Sequence, residues 1–85
     1  MMAKMVHVGF GNAVMENRII AVLGVDSLPI KRLKEAAKEQ GLLVDATMGR
    51  QEKSVIVMDS GHVVVSALAP STIIARIESD LTEDE

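Results

Sequence analysis

The chain has 85 residues, a net charge of −3, no cysteine and one aromatic residue, Phe10, against a hydrophobic content of 48%. The missing cysteines exclude disulfides, a thiolate nucleophile and cysteine-held metal sites, and apolar runs of at most five residues fall far short of the roughly 20 that a bilayer span requires. A small aliphatic chain without covalent staples is expected to hide surface against copies of itself, because alone it buries only roughly 60% of what its unfolded chain exposes.

Val6-His7-Val8 alternates as a strand does, and Gly9-Phe10-Gly11-Asn12 breaks it. Ala13-Val14-Met15 resumes extension before Glu16-Asn17 turns the chain. Arg18 then opens Ile19–Leu23, a β-branched run that reads as a buried strand ending at Gly24. Asp26 and Ser27 are both suitable N-caps for a helix with Pro29 in its first turn, running from Leu28 to Gln40 and stopping at Gly41. Its spacing turns Ile30, Leu33, Ala37 and Gln40, with Ala36 beside them, toward a sheet.

Leu42–Ala46 reads as the next strand, followed by a basic loop. Ser54–Met58 and His62–Ala67 form a hairpin across Asp59-Ser60-Gly61, with Val55 and Val57 on one face and Ile56 and Met58 on the other. A second helix starts at Pro70 and sets Ile73, Ile74, Ile77 and Leu81 on one side. The class expected is α/β (α+β): a small, mostly antiparallel sheet with two helices, in a single domain over residues 1–77. A sheet apolar on both sides needs two covers. If the helices take one face, the other packs on a neighbouring subunit, a second reason to expect an oligomer.

Residues 78–85 hold five of the twelve acids and no base, an acidic tail expected to be solvated and flexible, which leaves nine bases against seven acids in residues 1–77. The folded body is therefore mildly basic and permits a polyanionic partner. The N-terminus carries no apolar segment of the kind a secretory signal needs, so the cytoplasm is the expected compartment.

Several residues invite chemistry and are better explained by structure. Gly9-Phe10-Gly11-Asn12 lacks the third glycine and the following helix of a phosphate cradle, and reads as a turn whose Phe10 fills a core or an interface. His7, Asp59 and His62 do not share a metal-ligand spacing, and Asp59 serves as a turn residue. The serines and threonines are accounted for as caps, turns and strand positions, without an evident base. Lys31, Lys34 and Lys38 form the solvated flank of a helix, with Lys31 and Glu35 at pairing distance. No enzyme activity, cofactor or small-molecule substrate is expected.

Arg18 and Arg50 differ from these. Each stands at a loop–strand junction beside a turn residue, Asn17 or Gly49, and neither has a carboxylate at helical or hairpin spacing to neutralise it, although Glu52 lies within reach of Arg50. Arginine so placed suits bidentate contact with phosphate or a base edge. The stretch Val44–Lys53, with Gly49, Arg50 and Lys53 between two apolar strands, is the expected centre of function.

Gly9-Phe10-Gly11-Asn12, Asn17-Arg18, Pro29-Ile30-Lys31-Arg32, Asp45-Ala46-Thr47-x-Gly49-Arg50 and Val57-Met58-Asp59-Ser60-x-His62 occur in order across Val6–Ile77. In these motifs the chain resembles the bacterial extracellular matrix regulatory proteins typified by RemA. The resemblance implies a DNA-binding transcriptional regulator of the biofilm matrix, built from small α/β subunits assembled into a homo-oligomeric ring that displays basic loops to double-stranded DNA. The DNA contacts it carries over fall on Arg18 and Arg50. The family has a second arginine after Gly-Arg, where this chain has Gln51, then Glu52, with Lys53 supplying a cation two residues on, so the expected nucleic-acid-binding residues are Arg18, Arg50, Gln51 and Lys53. The alternative is a ring-forming interaction scaffold that does not bind DNA directly.

Overall fold

The computed structural model describes residues 4–79, so the expected roles of Leu81 and of the acidic tail beyond Ser79 lie outside the described residues. β1 (Met5–Gly9) and β2 (Asn12–Met15) pair as an antiparallel ribbon, and a 3-10 turn over Glu16–Arg18 leads into β3 (Ile19–Gly24). After β3 come α1 (Leu28–Glu39), β4 (Leu43–Asp45), β5 (Ser54–Met58), β6 (Val63–Ser66) and α2 (Pro70–Glu78). The fold is α+β, as expected.

The larger sheet has the order β3-β5-β6-β4. β5 is antiparallel to both β3 and β6, while β4 runs parallel to β6. α1 therefore carries the chain from one edge of the sheet to the other. Ser27 caps it by accepting from the Ile30 N–H (3.4 Å), Pro29 lies in its first turn, and Gly41 ends it with φ 74°.

Both faces of the sheet are covered within one chain. On one side α1 lays Ile30, Leu33 and Ala37 over Leu23, Val55, Val63 and Leu43. On the other, Val6 and Val8 of the ribbon and Ile73 of α2 pack on Ile56 and Val64. The expectation that the second face needs a neighbouring subunit is thus corrected: the two helices lie on opposite faces, and the ribbon joins α2 in covering the second, a role that its short, glycine-broken strands did not suggest. Ile56 and Ile73 are fully buried, and truncating either to alanine removes about 2–5 kcal/mol, a large part of the roughly 5–15 kcal/mol that holds a domain together.

Two helical stripes are narrower than their spacing implied. Ala36 and Gln40 are exposed, since they border the buried stripe and the helix ends at Gln40. Ile74 is exposed too; successive helical residues lie about 100° apart, so burying Ile73 turns Ile74 outward. Lys4 fastens the ribbon to α2. Its Nζ donates to the carbonyls of Arg76 (3.0 Å), Ile77 (2.9 Å) and Ser79 (3.0 Å), placing a cation on the carbonyls that a helix end leaves without intrahelical partners.

Candidate nucleic-acid interface

The loop between β4 and β5 arches over the end of β6. Its two anchors are backbone bonds, Ala46 N–H to the Val65 carbonyl and Lys53 N–H to the Ser66 carbonyl, both 2.8 Å. Asp45 fixes the entry. One of its carboxylate oxygens accepts from the Thr47 hydroxyl (2.6 Å) and from the Thr47 N–H (2.9 Å). These bonds, the hydroxyl's foremost, hold the Asp45 carboxyl below the usual aspartate range, with a slight desolvation opposing them.

The tip is a tight turn. Arg50 N–H donates to the Thr47 carbonyl (3.0 Å), and the two central residues, Met48 and Gly49, have φ of 54° and 80°, the pattern of a type I′ turn. The positive φ expected of Gly49 is present. Arg50 is exposed, and its guanidinium carbon lies 5.4 Å from the centroid of the Phe10 ring, in cation–π contact. Phe10 occupies the β1–β2 turn, where the Asn12 side-chain amide donates to the Gly9 carbonyl (3.1 Å). The turn is as expected, but Phe10 fills no core: it is 47% exposed and supports Arg50 instead.

Glu52 does not neutralise Arg50; its carboxylate pairs with Lys34 of α1. The basic loop is therefore held from both layers, by α1 at Glu52 and by the ribbon turn at Arg50. Lys34 leaves the lysine flank for this pair, and Lys31 and Glu35 form no ion pair with each other. Gln51 and Lys53 are exposed on the same loop, where Lys53 adds a second cation and Gln51 a neutral amide.

Arg18 lies elsewhere. Ile19 pairs with Met58 and Gly24 with Ser54, so Arg18 adjoins the β5–β6 turn while Arg50 adjoins the opposite end of β5. Four residue steps, roughly 13 Å, separate those ends. The structure brings Arg50 and Lys53 to one loop and does not bring Arg18 to them. Arg18 also has the carboxylate partner that its spacing seemed to deny: Nη1 lies 3.1 Å from one oxygen of Asp59 and 3.3 Å from the other. The partner is 41 positions away, visible only once the β3–β5 register is known. No local signal could have found it.

The RemA-like family, described as extracellular matrix regulatory protein A-like, matches residues 5–77. The chain belongs to the RemA-like family. A protein of Dictyoglomus thermophilum that bears the name "Putative regulatory protein" is 52% identical over 82 residues, 96% of each chain. One of Kosmotoga olearia is 45% identical over 84 residues, covering 99% of this chain and 85% of that protein. One of Natranaerobius thermophilus is 44% identical over 85 residues, covering all of this chain and 96% of that one. Membership in the RemA-like family and the names of these relatives point to a regulatory role. Among the described residues no helix is long and apolar enough to cross a membrane.

Proposed function

We propose that this RemA-like protein regulates transcription by binding double-stranded DNA through Arg50 and Lys53 of the β4–β5 loop, with Arg18 as a second, separate contact. The observation that carries the reading is the state of Arg50: exposed at a loop tip, restrained by an aromatic ring, and without a carboxylate partner among the described residues. A guanidinium held in this way retains its full charge for a phosphate or a base edge. Arg18 pairs with Asp59, but its side chain is 61% exposed. An ion pair in that setting is worth about 0–1 kcal/mol, so a phosphate can compete for the arginine.

A few such contacts give weak, salt-sensitive attraction. In a ring of identical subunits every contact after the first is intramolecular, and avidity accumulates without any single strong site. The separation of Arg18 from Arg50 suits that arrangement, since each subunit then presents two cationic points along a path. A net charge of −3 is compatible with it, because exposed cations such as Arg50 and Lys53 attract a polyanion locally whatever the net charge. Selectivity would come largely from how readily the DNA deforms along that surface.

Ring closure needs two different, complementary surfaces on each subunit. The open edges β3 and β4 offer them, carrying Ile20 at 65% and Val44 at 44% exposure. Those same edges favour the alternative reading, a ring-forming scaffold that binds proteins and no DNA. Gel retardation separates the two. Arg50→Ala is expected to abolish retardation of a DNA fragment at physiological salt, with weakened binding left at low salt, while leaving the assembly unchanged on sizing; a wild-type chain that fails to retard DNA would leave the scaffold.

A further inference from the structure

Among the described residues, the non-glycine positions with positive φ are Phe10, at 56°, and Met48, at 54°. Side chains reach that region against steric resistance, and Gly or Asn takes it with less. Here the residues are large and apolar, and they stand 47% and 70% exposed. Neither belongs to an apolar cluster of the interior. Packing therefore does not explain why these side chains occupy turns that disfavour them. Backbone strain of this kind clusters at ligand-contacting and other functional sites.

The two turns converge on Arg50. Met48 precedes it by two residues in the same turn, and Phe10 reaches it from the ribbon, with the ring centroid 5.4 Å from the guanidinium carbon. An aromatic face restrains a guanidinium without cancelling its charge, which a carboxylate in the same place would do. The contrast with Arg18, restrained by Asp59 at 3.1 Å, lies within the same molecule.

Resting on the DNA-binding reading, we infer that Phe10 is a positioning residue for Arg50. Its ring pre-orients the guanidinium toward the phosphate backbone, and the strained β1–β2 turn is retained for that contact. Removing the ring should relax the turn and weaken binding together, a combination that a structural role does not give.

The test uses Phe10→Asn and Phe10→Tyr in the full chain, each with and without Arg50→Ala. Melting temperature, assembly size and affinity for a duplex at low salt are measured. Phe10→Asn is expected to melt at or above the wild-type temperature and to bind DNA roughly two- to fivefold more weakly per contact, the size of an exposed cation–π interaction. Phe10→Tyr keeps the ring and should bind as wild type. In the Arg50→Ala background Phe10→Asn should add no further loss, because the two residues act through one contact. Wild-type affinity in Phe10→Asn, a loss that adds in full to that of Arg50→Ala, or a lower melting temperature would each overturn the inference. If Arg50→Ala alone leaves binding unchanged, the DNA reading falls as well; if Arg50→Ala weakens binding and Phe10→Asn does not, this inference falls alone.

Discussion

The guanidinium of Arg18 bonds both carboxylate oxygens of Asp59 across the end of the β3–β5 pair, at 3.1 and 3.3 Å, while Arg50 at the other end lies against an aromatic ring. The two arginines thus differ in how much charge they offer. One must leave an exposed partner before it can bind an anion; the other need not.

Asp59→Asn removes that competitor. It also removes one negative charge from the vicinity of the proposed DNA path, so affinity for a duplex should rise, by roughly two- to fivefold if the pair is worth about 0.5–1 kcal/mol. Stability should change by less than about 1 kcal/mol. Fluorescence anisotropy on a labelled duplex, with a thermal melt of the same variant, reads both. Weaker DNA binding in Asp59→Asn would mean that Asp59 orients Arg18 and does not compete for it.

Lys4 should matter for stability out of proportion to its position near a terminus. Its ammonium serves three carbonyls at the end of α2 and ties that helix to the ribbon. Lys4→Met keeps most of the stem and removes the donors. The expected cost is about 1–2 kcal/mol, or several degrees of melting temperature for a domain of this size. Hydrogen exchange should localise the loosening to the last turn of α2.

Acid should loosen the basic loop before the sheet. The Asp45 carboxyl titrates below its usual range because Thr47 donates to its ionised form. A depressed folded-state value means that this contribution to stability is complete above the unfolded value, near 3.9, and is lost as pH falls through the folded value. Thr47→Val, which removes the stronger of the two bonds, should shift the Asp45 titration upward, followed by its carboxyl carbon signal in NMR. An unmoved titration would show that the Thr47 hydroxyl does not hold the carboxylate.

The local elements were legible in the sequence because each has a local cause. Ser27, Pro29 and Gly41 bound α1 as capping chemistry requires, Pro70 opens α2, and the β5–β6 hairpin closes over Asp59–Gly61. The β4–β5 loop with Arg50, and Arg18 at the separate turn before β3, were legible for the same reason, since Gly49 and Asn17 mark turns. What escaped the sequence is non-local. The third layer, formed by Val6 and Val8 of the ribbon and Ile73 of α2 packing on Ile56 and Val64, depends on how the ribbon and α2 fold back over the sheet. The partners Asp59 for Arg18, Phe10 for Arg50 and Lys34 for Glu52 depend on register and layer order. Single-sequence spacing carries no record of either.

Whether Arg50 contacts the DNA backbone is read from the salt dependence of duplex affinity for the wild type and Arg50→Ala. Phosphate contacts give a slope of log affinity against log salt of about −0.9 per contact. A negative slope is expected for the wild type and a shallower one, with weaker binding at low salt, for Arg50→Ala. A duplex affinity indifferent to salt, or the same slope and affinity in Arg50→Ala, would contradict that contact.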